Sequence, residues 1–234
     1  MQIFTNDAKT PPIFTEAALC EVLSPSRKLK AIFRKAEESK DDDIFLEIWN
    51  GNNLALVKDL KKDHGRMSPS PITGIPRWST DENLIVYTAE PVPVKKSSFW
   101  SEDAAGNEYE YEQNFGETMA NVKTPKLFVF NISTQEVTLL ETPNFNPFNP
   151  SFRPNSTEIA YTGMEAPGQL QGLLQGLVAC GNRPSSLFYG DVTNWEPKKI
   201  DLAQGYEALI HPRYTPDGNS IIYIAWNDMK VHMN

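Results

Sequence analysis

An all-β fold made of repeated four-stranded antiparallel units is predicted by three features of the 234-residue sequence. One phrase recurs without gaps: Pro76-Arg-Trp78-Ser-Thr-Asp81-Glu-Asn-Leu84-Ile-Val-Tyr87, then Pro150-Ser-Phe152-Arg-Pro-Asn155-Ser-Thr-Glu158-Ile-Ala-Tyr161, then Pro212-Arg-Tyr214-Thr-Pro-Asp217-Gly-Asn-Ser220-Ile-Ile-Tyr223. Between the copies a second kind of hairpin recurs, clearest around Asn50-Gly51. The 18 prolines are spread so that no long helical window survives. Self-similarity of such long period is the mark of a repeat architecture.

The phrase has a physical reading. Thr215-Pro216-Asp217-Gly218 has the composition of a type I turn, with Pro fixing φ at the second place and Gly at the fourth. Pro212 to Tyr214 is a short extended piece, and residues 220–226 are β-branched and aromatic, as strands are. Each copy is therefore a tight hairpin. A weaker fourth copy, Ser24-Pro-Ser26-Arg-Lys-Leu29-Lys-Ala-Ile-Phe33, precedes the others.

In chain order, residues 1–21 have no clear period and read as an irregular leader. Residues 28–34 alternate as a strand, and Glu37-Glu-Ser-Lys-Asp-Asp-Asp43 is a charged connection without the ligand spacing of a calcium loop. Two strand-like runs then flank Asn50-Gly51, a strong hairpin signal. The same outer hairpin returns at 126–140, turning through 133–135, and at 186–202, turning through 193–197. Turn phrase and outer hairpin alternate, and each pair makes a four-stranded blade of a β-propeller. The blades span about 22–60, 76–141 and 150–202, with an incomplete fourth at 212–234. Residues 91–123 are too long for a plain turn and read as an inserted loop. Gly168, Gly172 and Gly176 mark a glycine-rich loop, because their spacing has meaning only in an apolar membrane helix.

Composition excludes several classes. A net charge of −8 without a basic stripe argues against a nucleic-acid binder. Cys20 and Cys180 make no disulfide framework, so a reducing, cytoplasmic setting is expected, and the sequons at Asn131 and Asn155 are then chance matches. Neither a secretory leader nor a bilayer-long apolar run is present. Catalytic signatures are missing too. No G-x-S-x-G nucleophile elbow, phosphate loop or dinucleotide fingerprint occurs. His64, His211 and His232 have no carboxylate or cysteine at metal-ligand spacing, so neither metal nor cofactor is expected. Trp78, Phe152 and Tyr214 share one place in the repeat and read as core aromatics rather than as a stacking platform.

Several segments carry a family likeness, in order along residues 22–226. They are Ser24-Pro-Ser26 with Leu29-Lys-Ala-Ile-Phe-Arg-Lys35, Phe45-Leu-Glu-Ile-Trp49, Trp78-Ser with 84–90, Phe115-Gly-Glu-Thr-Met119 followed by Pro125-Lys-Leu-Phe-Val, and Cys180-Gly-Asn182-Arg183-Pro-Ser-Ser-Leu187-Phe-Tyr. Through them the chain resembles the N-terminal propeller part of the acylaminoacyl-peptidases, cytosolic serine peptidases of the prolyl-oligopeptidase type. The resemblance implies an enzyme that releases an N-acyl amino acid from short N-acylated peptides, with the propeller restricting access to a C-terminal α/β-hydrolase domain. It also implies a homo-oligomer in the full enzyme. The family's Ser-Asp-His triad belongs to that second domain, so no catalytic residue is assigned here and the chain alone is expected to be inactive. The competing expectation is a non-enzymatic propeller-type module that holds another protein.

Overall fold

The computed structural model describes residues 4–5, 8–9, 18–36, 43–92, 114–115, 119, 122–165, 184–201 and 208–226. Short strands β1 (Phe4–Thr5) and β2 (Ala8–Lys9) pair with each other. The first blade is β3 (Ala18–Leu23), β4 (Leu29–Lys35), β5 (Ile44–Asn50) and β6 (Asn53–Asp59). The second is β7 (Arg77–Trp78), β8 (Leu84–Ala89), β9 (Lys126–Asn131) and β10 (Val137–Leu140). The third is β11 (Phe145–Phe152), β12 (Glu158–Glu165), β13 (Ser185–Asp191) and β14 (Asn194–Lys199), and the fourth is the pair β15 (Ala208–Tyr214) and β16 (Ile221–Trp226). Every pairing is antiparallel and follows chain order. The fold is all-β, an arc of propeller blades, and the described residues contain no helix among their elements.

The four turn phrases close in closely related ways. The fourth residue donates its N–H to the first carbonyl in Arg27 to Ser24 (2.9 Å), Glu82 to Ser79 (3.1 Å) and Gly218 to Thr215 (2.8 Å). Those fourth residues are left-handed, with φ of 61°, 60° and 72°. Only one of them is glycine. In the third copy the left-handed residue is Asn155, one place earlier (φ 55°). Beyond each turn, Ser24, Ser79, Arg153 and Thr215 donate their N–H groups to Leu29, Leu84, Glu158 and Ser220. The hydroxyls of Ser24, Ser79 and Thr215 accept the returning N–H groups at 3.1, 2.9 and 3.1 Å. This hydroxyl recurs in three of the four copies, and the third has Arg153 in its place.

Each outer loop is tied to the inner turn of its own blade by one backbone bond. Gly51 donates to the Lys28 carbonyl, Ile132 to Asn83 and Val192 to Thr157. Neighbouring blades are tied at the same end. The Ser26 N–H donates to Glu82 Oε1 at 2.5 Å, and the Asn155 N–H to Thr80 Oγ1 at 3.0 Å. Because antiparallel strands alternate in direction, these tight turns share one face and the second-to-third strand connections leave from the other.

Blade stacking makes the core. Along β8 every residue is buried, with alternate side chains facing opposite neighbours. Ile85, Tyr87 and Ala89 join Phe33, Leu46 and Ile48 of the first blade, whereas Leu84 and Val86 join Ile159, Tyr161 and Phe188 of the third. Trp78 is buried against the first blade, its Nε1–H reaching the Val22 carbonyl at 3.3 Å, and Phe152 is buried against the second. Tyr214 is half-buried and donates to Glu158 Oε1 of the third blade at 2.9 Å. The three aromatics thus occupy equivalent places between blades. The corresponding residue of the first blade, Leu23, is 43% exposed.

Some boundaries differ from the sequence reading. Strand β3 begins at Ala18 and β1 and β2 lie earlier still, inside the segment 1–21 that reads as an irregular leader, because strands this short leave no readable period. β11 and β15 begin at Phe145 and Ala208, ahead of Pro150 and Pro212, since each passes a β-bulge before the proline. The first outer hairpin turns through Gly51-Asn52, with Gly51 at φ 57° and Asn50 paired to Asn53. The last turns through Val192-Thr193 rather than 193–197, because the Asp191 carboxylate accepts the Thr193 N–H at 2.8 Å. Pro197 then sits in the outermost strand β14, where a missing N–H costs no ladder bond. The glycines at 168, 172 and 176, Cys180, His232, residues 37–42 and most of 91–123 lie outside the described residues.

Candidate functional site

The described residues bring no catalytic constellation together. They hold no group of three or more His, Cys, Asp and Glu side chains placed for a metal. His64 is 1% exposed, its Nδ1–H donates to the Gly65 carbonyl at 2.8 Å, and its ring packs on Tyr87 and Phe128 at 5.3 and 5.2 Å. His64 lies in the connection between β6 and β7, and burial there lowers its pKa, so the ring is neutral. Among the described residues its Nε2 and the Tyr87 hydroxyl are buried without a hydrogen-bond partner. Cys20, half-buried on β3, has its thiol pushed up to about 12 by burial and is therefore unreactive. No helix among the described residues is long and apolar enough to cross a membrane.

What the chain does build is an inner wall. The first strands of successive blades lie side by side, β7 against β11 and β11 against β15. At the two bulges, Asn149 (φ 53°) and His211 (φ 57°) are left-handed immediately before Pro150 and Pro212. Asn149 is the joint between blades. Its N–H donates to the Thr73 carbonyl at 3.0 Å and its Nδ2 to the Ile72 carbonyl at 2.6 Å. Its own carbonyl accepts Arg213 Nη1 at 3.3 Å.

Arg213 also donates to the Pro212 carbonyl at 2.6 Å. Its guanidinium is held down to about 10, first by burial and then by the positive charge of Arg77. Arg77 and Arg213 occupy the same place in the repeat, between proline and aromatic, on the second and fourth blades. In the third blade that place holds Ser151, which is buried. A groove of about 490 Å³ runs between β3 and β7, lined by Arg77, Trp78, Val22, Pro25 and Lys30 among others. Another cavity of about 370 Å³ opens between the third and fourth blades beside Tyr189, Tyr214 and Tyr223.

The end of the wall opposite the turns is covered by the return of the 91–123 segment. Phe115, Met119 and Val122 pack on Phe148 and Met164, with Ile72 and Ile210 beside them. Phe115 meets Phe148 edge to face at 5.3 Å. The Glu90 carboxylate accepts the N–H groups of Lys123 and Thr124, both at 2.9 Å, and so fixes the base of the segment. The sequence reading of an inserted loop missed this anchoring. Its signal was the lone apolar series Phe115, Met119 and Val122 in a polar stretch.

Comparison with known proteins agrees with this architecture. Residues 6–230 match the family described as acylamino-acid-releasing enzyme, N-terminal domain. The rat acylamino-acid-releasing enzyme is 27% identical over 245 residues, which cover 93% of this chain and 32% of the rat protein. The Arabidopsis thaliana enzyme is 26% identical over 239 residues, 92% of this chain and 31% of that protein. The chain thus spans about a third of the length of these relatives. Among solved structures, a prolyl endopeptidase superposes with a TM-score of 0.52 over 90% of this chain and 26% of its own, at 10% identity, a likeness of fold alone. Matched by this family over nearly its whole length, and built as the arc of blades that its repeats require, the chain belongs to the acylamino-acid-releasing enzyme N-terminal domain family.

Proposed function

We propose that this chain is the propeller portion of a cytoplasmic serine hydrolase that releases N-acyl amino acids from short N-acylated peptides. The observation that carries the reading is the family match over residues 6–230, together with relatives that all carry this name. In this reading the propeller does no chemistry. It restricts access to, and orients substrate for, a hydrolase domain that supplies nucleophile, base and acid. The inner wall suits that role, being tied across blades by Asn149 and bordered by a groove of peptide dimensions. Short N-acylated peptides, a C-terminal α/β-hydrolase domain and further copies of the full enzyme are the proposed partners.

The test is an activity assay in two formats. The 234-residue chain alone should show no hydrolysis of an acetyl-amino-acid anilide above background. The same chain joined to the C-terminal hydrolase part of the rat relative should release the acetyl-amino acid, and do so only from short peptides. Serine-directed, phosphonate-sensitive turnover by the unjoined chain would overturn the reading, as would a joined protein that folds yet cleaves no acylated peptide. The latter outcome would favour the interaction module.

A further inference from the structure

We infer that the second blade binds one structural water through the Thr88 hydroxyl, in a cavity at the base of the 91–123 segment. The cavity has about 10 Å³ of room, the size of a single water. It is lined by Thr88 of β8, by Ser68 and Thr73 of the connection into β7, and by Glu90, Val122 and Pro125 at the base of the segment.

Three stretches of chain meet there, and each is tied to something else. The connection is held beside the end of β8 by two backbone bonds at 2.8 Å, from the Gly65 N–H to the Glu90 carbonyl and from the Glu90 N–H to the Arg66 carbonyl. Further along it, the Thr73 carbonyl accepts the Asn149 N–H of the third blade. The Glu90 carboxylate holds Lys123 and Thr124. A ligand in this cavity therefore touches the blade, the joint to the next blade and the inserted segment together.

The chemistry of the lining selects water. Thr88 is 7% exposed, and the little surface it keeps includes its hydroxyl, which has no hydrogen-bond partner among the described residues. Burying a hydroxyl that far is costly unless something bonds it. The Ser68 hydroxyl also has no partner there. Thr73 donates its hydroxyl hydrogen to the Ser68 carbonyl at 2.5 Å, and its oxygen keeps the capacity to accept. Hydroxyls of this kind call for a ligand that both donates and accepts, and the room limits it to one heavy atom. A cation would need several oxygens free to coordinate it. The carboxylate in the lining, Glu90, already accepts the N–H groups of Lys123 and Thr124 and the Thr124 hydroxyl, and Arg66 stands beside it. Buried waters are a regular part of folded chains, at about one per 27 residues.

The experiment is crystallography of the 234-residue chain at a resolution that orders water, with urea unfolding of two variants beside it. A peak should lie within about 3.0 Å of Thr88 Oγ1 and of a second oxygen, Ser68 Oγ or Thr73 Oγ1. Thr88→Ser keeps the hydroxyl and should keep the peak. Thr88→Val keeps the branching at Cβ and removes the hydroxyl, so the peak should go and the folding equilibrium constant should fall by about fivefold. Without a bound water, the same substitution removes a buried hydroxyl that bonds nothing, and stability should hold or rise. The two cases thus differ in sign. A parent crystal without the peak overturns the inference, as does a peak that stays in Thr88→Val, or a Thr88→Val midpoint at or above that of the parent.

Discussion

Gly74 carries the joint between the second and third blades, and Gly74→Ala tests how tightly that joint is packed. Its φ is 110°, a conformation that L side chains rarely adopt, and a Cβ there would lie 2.9 Å from both Cα and N of Asn149. Neither neighbour can move freely, because both are backbone and Asn149 is pinned through Thr73 and Ile72. The conformational part of the cost is about 1–3 kcal/mol. Forcing an extra methyl into a packed contact adds about 1–3 kcal/mol, so the total is roughly 2–6 kcal/mol. Gly51→Ala is the matched control, since Gly51 is also left-handed (φ 57°) but a Cβ there meets nothing within 4 Å. It should cost only the backbone part, about 1–2 kcal/mol. Urea unfolding followed by tryptophan fluorescence measures both, and a fall in midpoint at constant slope reports stability alone. Equal midpoints for the two variants would refute the reasoning, because the steric contribution at Asn149 would then be absent.

Three further outcomes are expected. Arg27→Gly should stabilise by about 0.5–1 kcal/mol, since the exposed Arg27 holds φ 61° where the fourth copy uses Gly218; a midpoint below that of the parent would refute it. Burial keeps His64 neutral in the folded chain, and His211 is likewise lowered by burial and by Arg213. Above the ordinary value of 6.5 the folded and unfolded chains bind equal numbers of protons. Below it the unfolded chain takes up protons that the folded chain refuses, so stability should be flat from pH 8 to about 6.5 and then fall, by at most about 1.4 kcal/mol per pH unit per group. In His64→Phe the fall should shrink, and urea midpoints against pH will show whether it does. The 234-residue chain by itself should self-associate through β16, where Ile222, Ile224 and Trp226 are 64%, 49% and 36% exposed on a strand with one neighbour among the described residues. Light scattering after size exclusion should give masses above the monomer, and Ile222→Lys with Ile224→Lys should return it toward one; a parent that is a dilute monomer with a single melting transition would refute this.

The blades were legible in the sequence because their information is local. A hydroxyl, a proline or polar residue and an Asp or Asn within four positions specify a turn wherever they occur, and the β-branched run after it specifies a strand. The family segments added the identity of the repeat. Features made by residues far apart in the chain were not legible. Nothing near Pro150 or Pro212 announces a bulge, and at Asn149 the left-handed turn serves bonds to Ile72 and Thr73, more than 70 positions away. Phe115 and Met119 look like stray apolar residues until Phe148 and Met164 are brought beneath them. His64 sits in the connection between β6 and β7, and nothing local shows that Tyr87 and Phe128 enclose it there. Arg213 was visible as a repeated Pro-Arg, yet only the stacking of the third and fourth blades brings its guanidinium to the Asn149 carbonyl, 64 positions away. Sequence alone determined the repeat and its turns, since those depend on backbone preferences a few residues long. The inner wall and its charge were decided by tertiary structure, because they depend on which blades stand side by side.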